Sequence, residues 1–199
     1  MARPRSPGFE IQREQMLGAA ARLFATQGYT ATTMLQVAQA CALSKATLYH
    51  YVRDKHDLLA QITQGHVARL EALVAEVQLQ ELDDRARLVA LINSFMSVYA
   101  RSQHEHRVLT EDVKFLAPDE RRAVLDAQRR VVDAFANAVC ALRPELRTAQ
   151  LGKPLAMLLF GMMNWTFTWL RPGSALTHES LAPMVADLFL GGLPAVRTA

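Results

Sequence analysis

The sequence predicts an all-α protein of about nine helices, with a three-helix head at the N-terminal end and a larger antiparallel helical body. Three observations carry that reading. Apolar side chains recur at three- and four-residue spacing along almost the whole chain, the period of one helix face. The interruptions are helix stops, at Gln27-Gly28, Ala117-Pro118, Arg143-Pro144, Arg171-Pro172-Gly173 and Gly191-Gly192. No stretch alternates apolar and polar residues as a half-buried strand would.

Taken in order, Phe9 to Thr26 sets Ile11, Met16, Ala19, Ala20, Leu23 and Phe24 on one helix face and stops at Gln27-Gly28. Thr32 or Thr33 then caps a second helix through Ala40, because a hydroxyl there accepts from an N–H that the first turn leaves unpaired. Met34, Val37, Ala38 and Cys41 form its inner stripe, and Leu43 closes the turn. Ser44 caps a third helix, Lys45 to Tyr51, with Leu48 and then Val52 facing inward. Asp54 caps a fourth, running from Lys55 toward Gln78 and long enough to join head to body. Later helices fall at about Asp84–Ser102, His104–Phe115, Asp119–Ala141, Gly152–Leu170 and Leu181–Leu190. Proline is tolerated only in a first turn, so Pro183 favours a start near Ser180 for the last helix. The expected division is residues 1–57 and 58–199.

Composition limits what such a chain does. With 199 residues and 51% hydrophobic content it buries a substantial core without metals or disulfides. Cys41 and Cys140 have no metal-ligand spacing and read as small buried apolar residues. Residues 1–65 hold seven Lys/Arg against four acids, which accounts for the whole formal charge of +3. A positive end on a neutral body suits a polyanion-binding head. Met1 to Gly8 reads as a flexible basic arm, since no apolar segment follows it as in a signal peptide. The longest apolar run, Pro154 to Leu170, is interrupted by Asn164 and two threonines and falls short of the roughly 20 residues that span a bilayer. No membrane partner and a cytoplasmic location are expected.

The pair of helices from Thr33 to Tyr51 forms a helix-turn-helix, whose second helix enters a major groove of duplex DNA. Short Ala38, Ala40, Ala42 and Ala46 let the two helices approach. Around the outer side lie Lys45, Ala46, Thr47, Tyr49, His50 and Tyr51. Lys45 has the reach and charge to donate to guanine, Ala46 and Thr47 to meet a thymine methyl, and Tyr49 to bond a phosphate. Thr33 and Ser44 stand at helix starts, which favour phosphate. Lys55, at the next helix start, would neutralise another.

The pattern Thr-x-x-x-Val-Ala-x-x-Cys-x-Leu-Ser-Lys-Ala-Thr-Leu-Tyr-x-Tyr-Val-x-x-Lys-x-x-Leu resembles the TetR/AcrR transcriptional regulators over about residues 10–60. The resemblance implies an Ω-shaped homodimer with a DNA-binding head and a helical body for small-molecule binding and dimerisation. Its contact positions carry over to Thr33, Ser44, Lys45, Thr47, Tyr49, Tyr51 and Lys55. Thr47 stands where many relatives have a glycine nearby, so base preference is not transferred.

In the body, Leu155 to Leu170 is apolar on nearly every face, which a helix tolerates only when covered all round. A twofold-related copy supplies the outer cover in this reading. Leu155, Leu158, Gly161, Trp165 and Trp169, with Met184, Leu188 and Phe189 of the last helix, are the expected dimer interface. Met157, Phe160, Met163, Asn164 and Phe167 are the expected lining for a hydrophobic or partly polar effector. The segment Leu-Phe-Gly-Met-x-Asn-Trp-x-x-x-Trp-x-Arg-Pro-Gly also resembles a TetR subgroup that responds to acyl-CoA thioesters. On that resemblance Arg107 and Arg121, with Arg122 or Arg129, hold the phosphates of CoA, although solvated ion pairs along the helices are the plainer reading of those arginines.

The expected function is a ligand-released repressor on a pseudo-palindromic operator, needing no cofactor or metal. An activator or a constitutive DNA-binding protein without effector is the alternative. An enzyme built on His104 and His106 is the remote one, because His-x-His on a helix sets the imidazoles about 200° apart and no nucleophile motif or phosphate loop accompanies them.

Overall fold

The helical pattern is realised along the chain. The computed structural model describes residues 7–171 and 175–198, and among these every regular element is helical. The chain divides into two compact units. The first runs to Val67 and also takes in His104–Val124, and the second holds Ala68–Gln103 and the chain from Leu125.

The first unit begins with α1 (Pro7–Gln27), α2 (Met34–Ala40) and α3 (Lys45–Leu48), followed by the start of α4 (Lys55–Gln78). Pro7 and Gly8 already belong to α1, and the rest of the predicted basic arm lies outside the described residues. Met16, Ala20, Ala21, Phe24, Val37, Ala38, Leu48, Val52, Leu58 and Leu59 are buried together as its core. Ile11, read as part of the inner stripe, is instead 58% exposed, and Ala21 and Ala25 take inward positions. Leu48 and Val52 face inward as expected.

Capping fixes where these short helices begin. Thr33 rather than Thr32 caps α2: its hydroxyl accepts from the Gln36 N–H at 3.2 Å, while the Gln36 side chain accepts from the Thr33 N–H at 2.8 Å. Thr32 is buried and donates to the Gly28 carbonyl at 2.8 Å. Ser44 caps α3 through the Thr47 N–H at 3.0 Å. That helix is shorter than the predicted Lys45 to Tyr51. Beyond Leu48 the His50 and Tyr51 N–H groups bond three residues back, so the segment tightens into 3₁₀-like turns.

The turn between α2 and α3 places Ala42 at φ 54°, left-handed territory that glycine usually fills. The Leu43 N–H bonds the Ala38 carbonyl at 2.9 Å and the Ala42 N–H bonds that of Gln39 at 3.1 Å, a Schellman closure. A left-handed alanine is strained. The first unit also contains α6 (Gln103–Glu111) from His104 onward, a 3₁₀ turn at Val113–Phe115 and the start of α7 (Pro118–Leu142). Buried Asp112 thus interrupts the helix expected from His104 to Phe115.

The second unit takes the rest of α4 and of α7, with α5 (Asp84–Arg101), α8 (Glu145–Thr148), α9 (Gly152–Asn164), α10 (Thr166–Trp169) and α11 (His178–Gly192). Its core is aromatic. Phe135 packs edge-on against Phe95, centroids 4.9 Å apart, and meets Phe160 at 4.7 Å. Arg87 closes the α4–α5 turn by donating to the carbonyls of Val77, Gln78 and Leu82 at 3.0–3.3 Å. Arg143 holds the C-terminal segment through the carbonyls of Leu193 and Val196.

Two helix expectations are corrected here. The run Gly152 to Leu170 is two helices because Thr166 Oγ1 bonds the Met163 carbonyl at 2.7 Å and Thr168 Oγ1 that of Trp165, so side chains compete with the helix ladder. The last helix begins at His178 rather than near Ser180, because Thr177 and Ser180 form a reciprocal capping box. Pro183 then lies inside the helix on its exposed flank. The capped first turn stabilises the longer helix by about 1 kcal/mol.

Replacing Ala42 with glycine is expected to raise the urea midpoint of the chain, a gain of about 0.5–1 kcal/mol from relieved backbone strain. Valine at the same position should lower it by more.

Candidate nucleic-acid interface

Short, capped α3 is held from within by Leu48, fully buried under the turn. What remains outward is Lys45, Ala46, Tyr49 and His50, all exposed. Lys45 Nζ stands 6.0 Å from the Tyr49 ring centroid, so a cation and a phenol share one edge of the segment. Thr47 is half-buried, and its hydroxyl is hydrogen-bonded to that of Ser44 at 2.8 Å. Thr33 is exposed at the start of α2. The structure therefore brings Ser44, Lys45, Ala46, Thr47, Tyr49 and His50 to one short stretch that mixes donors, acceptors and a methyl. That is the repertoire of a groove-reading element.

Two predicted contact residues have partners within the head. Tyr51 stacks on Phe9 of α1, centroids 4.5 Å apart, and its hydroxyl donates to the Gln12 side chain. It braces the end of the recognition segment. Lys55, expected to face a phosphate, donates to three backbone carbonyls, those of Tyr29, Thr30 and Thr32, at 3.0, 3.2 and 3.0 Å. An ammonium has three N–H groups, and all three are used. Its Nζ also lies 4.6 Å from the Tyr29 ring centroid. Lys55 therefore ties the loop before α2 to the first turn of α4. No local pattern reveals this, because the partners are backbone atoms 23 to 26 residues away.

The chain after the recognition segment is fixed just as firmly. Asp54 accepts from the Asp57 N–H at 2.8 Å, and Asp57 accepts from the Arg53 N–H at 2.9 Å. Burial acts to raise the Asp57 carboxyl, but hydrogen bonds from Arg53 and Gln61 outweigh it and hold the group below the usual carboxylate range. The stability this adds is present above that range and fades as pH falls through the lowered value. Arg13 of α1 donates to the Gln61 side chain at 2.7 and 3.0 Å, joining α1 to α4.

The body residues separate by exposure. Met157, Leu158, Trp169, Met184 and Leu188 on α9, α10 and α11, and Trp165 at the α9–α10 junction, are exposed apolar side chains, with Leu158 65%, Trp165 60% and Leu188 70% accessible. Gly161 lies on the same exposed side. Leu155 and Phe189, read as interface, are buried within the second unit's own core. Phe160 and Met163 are buried, whereas Met157, read as effector lining, is a surface residue. Asn164 and Phe167 are half-buried. The Tyr99 hydroxyl donates to Asn164 Oδ1 at 2.8 Å, and burial pushes that phenol up. Arg107 pairs with Glu111 at 3.0 Å and Arg121 is exposed on the first turn of α7. His106 is buried against His66 with ring nitrogens 3.3 Å apart, while His104 is half-buried. Among the described residues no three His, Cys, Asp or Glu side chains are grouped to hold a metal, and no helix is long and apolar enough to cross a membrane.

These roles separate in a salt titration. On duplex DNA, Lys45→Ala is expected to reduce the slope of log affinity against log salt by about 1, the signature of one cation lost from the DNA-facing edge. Lys55→Gln should weaken binding with the slope unchanged.

Residues 16–62 match the description "Bacterial regulatory proteins, tetR family", and residues 81–193 match "Tetracyclin repressor-like, C-terminal domain". The HTH-type transcriptional repressor KstR2 of Rhodococcus jostii is 26% identical over 185 residues, 92% of this chain and 91% of that one. The crystal structure of a TetR-family transcriptional regulator from Bordetella parapertussis superposes with a TM-score of 0.86 at 31% identity, covering 94% of this chain and 98% of the other. AibR, solved in complex with isovaleryl coenzyme A and operator DNA, superposes with a TM-score of 0.74 at 25% identity, covering 89% and 97%. With a family match over more than half its length and the head geometry described above, the chain belongs to the TetR family of bacterial regulatory proteins.

Proposed function

We propose that this protein is a transcriptional repressor that binds a pseudo-palindromic operator as a homodimer and is released by a small hydrophobic effector, an acyl-CoA thioester. The observation that carries the reading is the exposed edge of Lys45, Ala46, Tyr49 and His50 on a segment whose inner side is locked by Leu48. Two such segments spaced by roughly 34–36 Å fit successive major grooves. The exposed apolar residues of α9, α10 and α11 support the dimer. Leu158, Trp165, Trp169, Met184 and Leu188 form a surface that water covers poorly and a second copy covers well.

Similarity to the repressor KstR2 supports the sign of regulation, and similarity to AibR with its coenzyme A ligand supports the effector class. Phe160, Met163, Asn164 and Phe167 offer apolar and amide groups to an acyl chain. Release requires the effector to favour one state of the dimer over the other; tight binding alone shifts nothing.

Sedimentation of Leu188→Glu and Trp165→Ser variants should give monomers where the wild type is dimeric, with operator affinity falling by more than about tenfold as the two-site contact is lost. A duplex selected from a random pool, titrated with isovaleryl-CoA and longer acyl-CoAs, tests the effector. At least one thioester is expected to weaken binding about tenfold or more. No response across the series removes the effector class. Equal affinity for selected and random duplexes removes the regulator.

A further inference from the structure

The corner between α6 and α7 clusters with the helix-turn-helix, although α7 continues beyond Val124 into the second unit. Two contacts join it to the head. Phe115, in the 3₁₀ turn, stacks on Tyr29 with centroids 5.2 Å apart and planes 27° from parallel. Tyr29 is the residue whose ring meets Lys55 Nζ and whose carbonyl Lys55 binds. Its ring also meets Phe24 of the head core edge-on at 5.2 Å.

The second contact is a hydrogen bond from the Ala117 N–H to His56 Nε2 at 3.0 Å. Ala117 stands just before α7: its carbonyl accepts from the Arg121 N–H at 2.8 Å, but its side chain has no capping oxygen. Its own N–H falls outside the helix, and Pro118 beside it carries none. His56 supplies the acceptor. That bond puts the imidazole proton on Nδ1, which faces Glu120 Oε2 at 3.6 Å.

The corner therefore reaches the head on both flanks of the recognition segment, at the loop leading into α2 and at the first turn of α4. We propose that it is a latch, with His56 and Phe115 as positioning residues that hold the recognition segment in the orientation in which it meets duplex DNA. Any movement of the first turn of α7 then reaches the helix-turn-helix through two side chains that face no DNA. The proposal rests on the reading of the head as operator-binding.

The test uses the full chain with His56→Ala, His56→Gln and Phe115→Leu, and a duplex selected from a random pool by the wild type. His56→Ala and Phe115→Leu are expected to weaken binding by about threefold to thirtyfold, with an unchanged salt slope and below the onset of thermal unfolding. Amide hydrogen exchange should accelerate at Thr32 in both variants, and at Ala117 in His56→Ala. His56→Gln, whose side-chain oxygen accepts the same N–H, should stay within about twofold of wild type on both measures. Phe115 is partly exposed, so its leucine variant keeps the test open should His56→Ala fail to fold. Unchanged affinity in both variants, or unchanged exchange at Thr32 in both, overturns the latch. If the wild type selects no duplex, the regulatory reading fails, and exchange at Thr32 still decides whether the corner holds the loop.

Discussion

Three backbone carbonyls between α1 and α2 lie outside any helix, and the ammonium of Lys55 satisfies all three. One ammonium that binds three carbonyls of a loop narrows the conformations open to that loop, beside its own Thr32 N–H bonds to the Gly28 and Tyr29 carbonyls. The loop carries Thr32, whose burial seats Thr33 at the start of α2, and the Thr33 cap fixes where that helix begins. Recognition geometry thus descends from a cation bound to carbonyls. Tyr29, packed between the core and the clamp, extends the same constraint to Phe115.

Much of this was readable in the amino-acid order. Thr33, Ser44 and Asp54 announce three helix starts, and each hydrogen-bonds a backbone N–H at the start of its helix. Leu48 and Val52 could be assigned inward because they are the two branched aliphatic side chains, four residues apart, in and just after the predicted helix Lys45 to Tyr51. The limits of α4, Lys55 and Gln78, followed from a cap and the persistence of period. The reading stops where the deciding partner is distant. Lys55 and Tyr51 read as DNA contacts from their place beside a recognition segment, and their partners within the head, loop carbonyls for one and Phe9 and Gln12 for the other, could not be read from neighbouring residues. Thr166 broke a long apolar helix that composition alone left continuous, since its hydroxyl competes with the ladder. Leu155 and Phe189 share their helices with the exposed apolar residues, and periodicity left open which side faced inward.

The two faces of α9 and α11 illustrate a wider constraint. Pairs of buried residues alternate with pairs of exposed ones along both helices, yet the exposed members include Leu158, Met184 and Leu188. An ordinary surface helix would put charges there. Retaining apolar side chains on both sides commits the second unit to being covered, and the aromatic core of Phe95, Phe135 and Phe160 provides the rigid backing such a surface requires.

A last consequence concerns the basic residues of the head. Arg13 is engaged with the Gln61 amide and Lys55 with three loop carbonyls, all neutral partners, while the Arg53 guanidinium stays largely in water, so these side chains hold the head together without giving up their charge. Held in this way, Arg13 and Lys55 still contribute their full charge to the field that a polyanion meets. Long-range attraction to duplex of any sequence is retained, while discrimination of a matched site falls to the few side chains on the exposed edge, Lys45, Tyr49 and His50.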